Sequence, residues 1–402
     1  MAIIIYNFFL SFLILIFGPF LFTRYKFDKI LKHYEYWIHC ASLGEVKIAL
    51  RLIDVLKNKL QISKENILLT TTTISAKNFA KKLHNETYIF PLDYFFISRN
   101  SIRIIRPKVL IILETELWPN CIYFVKKYGG KIFVLNGRMT LKTFVFLKVF
   151  RWLFKGILES IDYYVVKEKI DYLRFKNLGI NENKIEITGN MKYDDIDSFE
   201  INVSRKDFNF SIDDFVITFG SIREKEEKEV IKVVKRFNEK ENIKFILAPR
   251  HLNLVKKIER LLKKNKITYI LRSEINQDYN KDFKCLIIDT YGELKKFYSI
   301  SDIVFVCGTI LPYGGQSIIE PASLGKLVVF GRYISNFLDT AKILLSNSAA
   351  IQIEHIEDLE FIIERFYKNR NEINLYGEKA KKIIYCLKGV TKKNVDIIAK
   401  YL

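Results

Sequence analysis

The residues of this chain best suited to chemistry are carboxylates that directly follow apolar strands. Glu114 and Glu116 come after the run Val109–Leu113, whose branched aliphatic residues predict a strand buried on both faces of a parallel sheet. Glu45 follows a second strand-like segment, which starts at Tyr36. Because open α/β sheets bind ligands beyond the carboxyl ends of their strands, these carboxylates are expected to converge on a single site.

Position alone leaves structural roles open for the same carboxylates. In an extended segment the i, i+2 spacing of Glu114 and Glu116 would put both on one side, where each would raise the pKa of the other. Pro119 marks the first turn of the next helix, so one of the two could instead cap that helix. Glu45 could likewise be a first-turn carboxylate that the helix macrodipole favours.

The composition narrows the class of protein. A length of 402 residues suits two domains, and 49% hydrophobic residues indicate a globular chain. The formal net charge is +20, but the basic residues are spread along the chain rather than gathered into one stripe, which argues against a nucleic-acid partner. A generally basic surface or attraction to anionic lipid headgroups and phosphorylated glycolipids explains the charge instead. The five cysteines lack C-x-x-C spacing, and we expect them to be reduced.

The N-terminus predicts attachment to a membrane. Ala2–Phe22 contains no charged residue, and a helix of about 20 residues spans a bilayer core of roughly 30 Å. We therefore predict a single anchor over 1–23, at the cell inner membrane. The positive-inside rule places the body of the protein on the cytoplasmic side, because four basic residues follow the apolar run: Arg24, Lys26, Lys29 and Lys32. Polar or helix-breaking residues within the run leave a shallow interfacial anchor as the alternative: Asn7, Gly18 and Pro19.

Strand-like and helix-like segments alternate along the rest of the chain. From 37 to 186 this alternation, in which Val109–Leu113 and Tyr163–Val166 are among the clearest strands, predicts a doubly wound parallel sheet. A polar stretch over 194–213 has little buried character and is interpreted as an interdomain linker. The alternation restarts at Phe215. We therefore predict two α/β domains, over 24–200 and 201–402.

Several short motifs occur in a fixed order over nearly the whole chain. They are Ser-x-Gly-Glu at 42–45, Glu-Thr-Glu-x-Trp-Pro-Asn at 114–120, Thr-Gly-x-x-Lys-Tyr-Asp at 188–194, Pro-Arg-His at 249–251, Gly-Glu-Leu at 292–294 and Gly-Gly-x-x-x-x-Glu-Pro at 314–321. Each motif alone is a weak signal. As an ordered set they resemble the 3-deoxy-D-manno-octulosonic acid (Kdo) transferases of lipopolysaccharide assembly.

This resemblance implies a fold and a reaction. The fold would be two Rossmann-like domains facing a cleft, known as the glycosyltransferase B-type fold. Residues 24–200 would bind the acceptor and 201–402 would bind CMP-Kdo, with the last helix packing back on the N-terminal domain. The reaction would transfer Kdo from CMP-Kdo to a lipid A precursor (lipid IVA), with inversion and without a cofactor.

The resemblance also implies site residues. Glu45 would be the catalytic base, Glu114 would stabilise the transition state, and Lys192 would neutralise developing negative charge. Glu116 would order its loop. The implied CMP-binding residues are Pro249, Arg250, Tyr291, Gly292, Glu293, Ser317, Ile318, Ile319 and Glu320, with Glu320 on the ribose. Ser317 is a departure, because the family commonly has Asn at this position.

Other chemistries have weaker support. Asp195-Ile196-Asp197 matches the Asp-x-Asp triad of metal-dependent glycosyltransferases, but it falls in the predicted linker, and we expect no metal. No Walker loop or Gly-x-Gly-x-x-Gly fingerprint is present, which argues against an NTPase or a dehydrogenase. The alternatives are a B-type glycosyltransferase using a UDP-sugar, a nucleotide-sugar 2-epimerase, and a non-catalytic scaffold.

Overall fold

The computed structural model describes residues 3–8, 10–12, 28, 30–195, 201–275 and 282–402, with Asp195 described for its backbone only. The chain divides into two compact units. Unit 1 comprises Met1–Asp195 together with Leu387–Leu402, and unit 2 comprises Ile196–Cys386. Each unit contains one seven-stranded sheet, and every strand pairing in both sheets is parallel.

The sheet of unit 1 has the strand order β3-β2-β1-β4-β5-β6-β7. Its strands are β1 Tyr36–Cys40, β2 Ile67–Thr71, β3 Thr87–Ile89, β4 Val109–Leu113, β5 Lys131–Gly137, β6 Tyr163–Val166 and β7 Ile185–Ile187. Its helices up to β7 are α1 Leu43–Leu60, α2 Ile74–Lys81, α3 Phe95–Ile105, α4 Pro119–Lys127, α5 Leu141–Val149, α6 Arg151–Ser160 and α7 Lys169–Asn177.

Hydrophobic packing on both faces explains why β4 is apolar throughout. Leu110 and Ile112 pack into the core on one face of the sheet, whereas Val109, Ile111 and Leu113 pack into the core on the other face. Successive side chains of a strand point to opposite faces, so a central strand that is covered on both sides needs no polar alternation. The predicted doubly wound parallel sheet is confirmed.

Unit 2 repeats this architecture with the strand order β10-β11-β9-β8-β12-β13-β14. Its strands are β8 Phe215–Ile222, β9 Ile243–Pro249, β10 Tyr269–Leu271, β11 Cys285–Ile287, β12 Ile303–Val306, β13 Leu327–Gly331 and β14 Ala350–Ile353. Its helices are α8 Glu226–Arg236, α9 Val255–Lys264, α10 Leu294–Ile300, α11 Ile319–Ser323, α12 Leu338–Ser346, α13 Asp358–Lys368 and α14 Arg370–Cys386.

The last helix, α15 (Val390–Tyr401), belongs to unit 1. Its side chains Val395 and Ile398 are fully buried in the core that covers one face of the unit 1 sheet. The carboxylate of Asp194 accepts hydrogen bonds from the backbone N–H groups of Gly389 (2.6 Å) and Thr391 (2.5 Å). Asp194 therefore satisfies N–H groups at the start of α15 that have no partner inside the helix.

The sequence predicts that 194–213 is a linker with little buried character. This prediction is wrong for residues 201–213. Phe208 and Phe210 are 3% and 2% exposed and pack into the core of unit 2. Arg205 forms an ion pair with Asp302 at 2.7 Å. Residues 201–213 are thus an integral part of unit 2. Residues 196–200 lie outside the described residues, and so does most of the Asp-x-Asp match at 195–197.

The predicted anchor over 1–23 also lies largely outside the described residues. Residues 3–8 and 10–12 are helical and are called the N-terminal helix below. Within the described parts of the chain, no helix combines the length and the apolar character needed to cross a bilayer. The anchor therefore remains a prediction from the sequence.

Close backbone packing in unit 2 generates a stability prediction. A Cβ atom at Gly377, in α14, would overlap the carbonyl oxygen of Gly325, so Gly377→Ala must displace one backbone segment. We expect it to lower the free energy of unfolding by about 1–3 kcal/mol, as overpacking typically does. Gly156 in α6 is the control, because a Cβ there meets no atom within 4 Å. Gly156→Ala should raise the free energy of unfolding by roughly 0.5–1 kcal/mol. Urea unfolding measures both, and equal stability of the two variants would contradict this account.

Candidate active site

Charged side chains gather at the carboxyl ends of five adjacent strands of the unit 1 sheet. In the order β1-β4-β5-β6-β7, each strand is followed at once or a few residues later by such a residue. These residues are Glu45, Glu114, Arg138, Lys167 and Lys192. These residues share one edge of the sheet because the carboxyl ends of parallel strands lie together. Open α/β sheets bind their ligands at this edge.

A buried ion pair lies at the centre of this group. The Lys167 Nζ atom is 2.7 Å from Glu114 Oε1, and the two side chains are 4% and 22% exposed. Burial alone would raise the pKa of Glu114, but the cations of Lys167, Lys192 and Arg138 outweigh burial and lower it. Glu114 is therefore a carboxylate that stays ionised in a largely desolvated site.

The backbone around Glu114 differs from the sequence expectation. The residue has φ 60°, a left-handed conformation that costs energy for a side chain with a Cβ. Glu114 and Thr115 form a turn, so the expected extended segment is wrong. The backbone N–H of Glu114 donates to the carbonyl oxygen of Leu135 at 2.9 Å. This turn, rather than strand alternation, sets the direction of both carboxylates.

Glu116 nevertheless interacts with the other carboxylates. Burial raises its pKa, and the negative charges of Glu45 and Glu114 raise it further. Trp118 holds the far end of the same loop, because its Nε1–H donates to His39 Nε2 at 3.2 Å. Burial lowers the pKa of His39 to about 3, so this ring is neutral, and its remaining proton lies on Nδ1, which donates to Thr70 Oγ1 at 3.0 Å. The loop carrying Glu114 and Glu116 is thereby fixed to the sheet.

Glu45 combines a helix-capping position with a place in the site. It lies in the first turn of α1, where Ser42 is the N-cap. Its Oε1 accepts from Ser42 Oγ at 2.6 Å and its Oε2 accepts from the N–H of Ala41 at 2.8 Å. Burial raises the pKa of Glu45 despite these bonds; the charge of Glu114 adds to the rise and that of Lys167 opposes it. A carboxylate with a raised pKa and unused lone pairs can accept a proton.

Lys192 reaches the same edge from a 3₁₀ turn over Met191–Asp195. The turn is positioned by Asn136, whose Oδ1 accepts from the N–H of Met191 at 2.9 Å. Burial lowers the pKa of Lys192, as do the nearby cations Lys167 and Arg138, while the charges of Glu114 and Glu45 oppose this. The structure thus brings the three predicted catalytic residues together and adds two further cations to them.

Lys167 and Arg138 were missed by the sequence reasoning. The signal was present, because Lys167 directly follows the predicted strand Tyr163–Val166 and Arg138 directly follows β5. A search for every charged residue that directly follows a predicted strand identifies both.

The predicted nucleotide-binding residues lie at the corresponding edge of the unit 2 sheet. Arg250 follows β9, Tyr291–Glu293 follow β11, and Ser317–Glu320 follow β12. β9, β11 and β12 occupy the middle of the sheet, around β8. Pro249 is the last residue of β9.

A buried tyrosine links two of these residues. Burial raises the pKa of Tyr298 far above its ordinary value; the charge of Glu320 adds to the rise, whereas the charge of Arg250 and a hydrogen bond with Ser221 oppose it. Glu320 and Arg250 therefore both act on one phenol at the end of β8. The phenol oxygen also fills the space that a Cβ at Gly220 would need.

The other residues of the predicted pocket have different environments. Glu293 accepts from Thr290 Oγ1 at 2.6 Å and pairs with Arg272 at 3.3 Å. Tyr291 is 76% exposed, whereas Ile318 and Ile319 are 0% and 5% exposed. Gly292 has φ 85°, a conformation suited to glycine. Ser317 is partly buried. No group of three or more His, Cys, Asp or Glu side chains that could hold a metal ion occurs in the described part of the chain.

Comparison with known proteins defines first the class and then the family. The chain resembles the crystal structure of a glycosyltransferase from Rickettsia africae with a TM-score of 0.59 and 16% identity, over 91% of this chain and 97% of that one. With its two Rossmann-like units, it therefore has the fold class of the B-type glycosyltransferases. A family model described as 3-deoxy-D-manno-octulosonic-acid transferase (kdotransferase) matches residues 21–195.

Curated relatives match over most of the chain. The 3-deoxy-D-manno-octulosonic acid transferase of Chlamydia muridarum is 30% identical over 87% of this chain and 81% of its own length. A bifunctional glycosyltransferase/methyltransferase of Fusobacterium nucleatum is 35% identical over 91% of this chain, which spans 58% of that longer protein. The chain belongs to the 3-deoxy-D-manno-octulosonic acid transferase family and is a glycosyltransferase.

The ion pair with Glu114 generates a pH prediction. Lys167→Met removes a cation that lowers the pKa of both Glu114 and Glu45, so both pKa values should rise. A carboxylate base works only when deprotonated, so the acid limb of kcat/KM should move to higher pH and activity near neutrality should fall by about tenfold or more. The exposed residue Lys169 supplies the control variant Lys169→Met. An unchanged acid limb in Lys167→Met would show that this ion pair does not act on the base.

Proposed function

We propose that this chain transfers Kdo from CMP-Kdo to a sugar hydroxyl of a lipid A precursor, lipid IVA, with inversion at the anomeric carbon. The observation that carries the proposal is the convergence of Glu45, Glu114 and Lys192 at one edge of the unit 1 sheet, in a chain of the Kdo transferase family. The donor nucleotide comes from the same resemblance, which includes the motifs at 249–251, 292–294 and 314–321.

In this proposal Glu45 is the general base. The acceptor hydroxyl oxygen attacks the anomeric carbon of Kdo while its proton passes to a carboxylate oxygen of Glu45. The bond between the anomeric carbon and the phosphate oxygen breaks, and CMP leaves with the electron pair. The raised pKa of Glu45 supports the role, because a base is most effective when its pKa lies close to the working pH.

The remaining charges suit the two kinds of charge that develop. Sugar transfer passes through a state with positive charge on the ring, and the ionised carboxylate of Glu114 can stabilise it. Kdo also carries a carboxylate and the leaving group carries a phosphate. The partly buried cation of Lys192 can neutralise negative charge of this kind, and its partial shielding from water strengthens the effect.

Unit 2 would hold the donor nucleotide. Arg250 offers a planar fork of N–H donors that matches a phosphate. Glu320 would accept hydrogen bonds from the ribose hydroxyls, and the glycines at 314 and 315 would let the backbone come close to the ligand. Tyr291, Gly292 and Glu293 would complete the pocket from the end of β11.

A membrane location fits a lipid acceptor. We propose that residues 1–23 attach the chain to the inner membrane, with both units on the cytoplasmic side and anionic lipids as neighbours. The uncharged run Ala2–Phe22, the basic residues that follow it and the net charge of +20 support this.

The base assignment predicts a specific loss of turnover. Glu45→Gln keeps the size of the side chain but removes the proton acceptor, so transfer from CMP-Kdo should fall by about 10² to 10⁴ while CMP binding persists. The exposed residue Glu65 gives the control variant Glu65→Gln, which should turn over normally. The assay follows CMP release with purified lipid IVA, and it includes a UDP-sugar donor. Near-normal turnover of Glu45→Gln, or release of UDP instead of CMP by the wild type, would falsify the proposal.

The nucleotide pocket predicts a change in binding. Arg250→Ala should weaken the binding of CMP by about 1.5–3 kcal/mol, the scale of a hydrogen bond to a charged group. Arg260→Ala is the matched control, because Arg260 is an exposed arginine on α9. Calorimetry measures CMP affinity for both, and equal affinities would remove Arg250 from the pocket.

A further inference from the structure

The N-terminal helix makes polar contacts with the catalytic unit that a simple membrane anchor does not need. The side-chain amides of Asn7 and Asn120 form a reciprocal pair: Asn7 Nδ2 donates to Asn120 Oδ1 at 2.8 Å, and Asn120 Nδ2 donates to Asn7 Oδ1 at 2.9 Å. Asn120 is fully buried. The pair joins residues that are far apart in sequence, from the apolar N-terminal run and from the Glu-Thr-Glu-x-Trp-Pro-Asn motif.

A buried carboxylate extends this contact. Asp93 is 2% exposed and accepts from the backbone N–H groups of Asn120 (3.0 Å) and Cys121 (2.8 Å). It thereby binds the first turn of α4, where N–H groups lack partners inside the helix. Asp93 Oδ2 also accepts from the hydroxyl of Tyr6 at 3.1 Å, and Asp93 Oδ1 accepts from Ser98 at 3.2 Å.

The position of α4 matters because the catalytic loop ends where this helix begins. The loop runs from Glu114 to Trp118, and α4 starts at Pro119. Its first end is held by the hydrogen bond from Glu114 to Leu135. Its second end is held by the hydrogen bond from Trp118 to His39 and by the contacts of the first turn of α4. Those contacts include Tyr6 and Asn7.

We propose that the N-terminal helix is a positioning element of the active site, with Tyr6 and Asn7 holding the Asp93–Asn120 pair and, through it, the loop that carries Glu114 and Glu116. The inference rests on the proposed function for the meaning of the loop, but the contacts do not depend on it. The helix also carries Ile4, Phe8 and Phe12, which are 73%, 74% and 59% exposed. Their i, i+4, i+8 spacing forms one stripe. The helix thus combines an exposed apolar stripe with a polar contact to the rest of unit 1.

Asn7, a polar residue within the apolar run, thereby gains a function. In the sequence, Asn7 only weakens the case for a spanning helix. In the structure it satisfies a buried amide of the catalytic motif, and a polar group buried without a partner is costly. Removing the N-terminal segment should therefore disturb the active site as well as membrane attachment.

The test uses the full-length chain in detergent and compares Asn7→Leu with wild type. Asn7→Leu keeps the apolar character of the segment but removes both hydrogen bonds to Asn120. Ser11→Ala is the matched control, because the hydroxyl of Ser11 donates to the backbone oxygen of Asn7 in the same helix and makes no other hydrogen bond to the described residues. Two readouts are taken: amide hydrogen exchange of the peptide spanning 114–122, and steady-state turnover of CMP-Kdo with lipid IVA.

We expect exchange in 114–122 to be about tenfold faster in Asn7→Leu than in wild type or Ser11→Ala, with exchange in β4 unchanged. We expect kcat to fall by about tenfold with KM for CMP-Kdo within about twofold, because a displaced loop affects the chemical step more than donor binding. If Asn7→Leu shows the same exchange in 114–122 and the same kcat as the wild type, the inference is overturned. If the wild type fails to turn over CMP-Kdo, the proposed function is wrong, and the exchange result alone decides the positioning role.

A second, smaller change keeps the test decisive if Asn7→Leu folds poorly. Tyr6→Phe removes only the hydroxyl that donates to Asp93. Burial raises the pKa of Asp93 to about 6, and the hydrogen bond from Tyr6 opposes that rise, so the variant should raise it further. Among the described residues, the titratable groups that face Asp93 are Tyr6 and Cys121. As the pH is lowered, protonation of Asp93 weakens its hydrogen bonds to α4. Protection of 114–122 from exchange should therefore be lost at a higher pH in Tyr6→Phe than in wild type, and identical pH dependence would count against the inference.

Discussion

The buried ion pair between Lys167 and Glu114 is the constraint on which the charged edge of unit 1 depends. A cation that is 4% exposed requires a close partner of opposite charge, and the partner comes from β4, two strands away across β5. Glu114 reaches it from a left-handed backbone conformation. The pair keeps Glu114 ionised, and its charges also act on Glu45 and Lys192. Loss of one member would therefore alter the protonation of several others.

The two units use the same structural rule for different tasks. In each, charged or glycine-rich segments follow the central strands of a parallel sheet at its carboxyl edge. Unit 1 gathers carboxylates and lysines that suit proton removal and charge stabilisation. Unit 2 places Arg250 and Glu320 around the buried phenol of Tyr298, an arrangement that suits a phosphorylated nucleoside.

Much of the fold was predictable because buried strands leave a simple signal. Val109–Leu113 and Tyr163–Val166 were predicted with their exact bounds, since each is an uninterrupted apolar run packed on both faces. Residues 201–213 were misjudged because Phe208 and Phe210 are isolated among polar residues, and only the tertiary structure shows that both are buried.

The finer geometry of the site was not predictable from local patterns. Nothing in Glu-Thr-Glu indicates a left-handed conformation at Glu114, which arises because the ion pair and the neighbouring strand determine the backbone. The partner of Asn7 is equally hidden, because Asn120 is distant in sequence and hydrogen-bond pairing has no periodicity. Lys167 was within reach of the sequence reasoning, since it directly follows a correctly predicted strand.

We propose that this edge of unit 1 catalyses transfer of Kdo to a lipid acceptor. The most direct measurement is incubation of the full-length protein with CMP-Kdo and purified lipid IVA, followed by mass spectrometry of the lipid and NMR of the new linkage. The account predicts a lipid heavier by one or more Kdo residues, with anomeric configuration opposite to that of the donor. Unmodified lipid, or a product that retains the configuration of the donor, would contradict it.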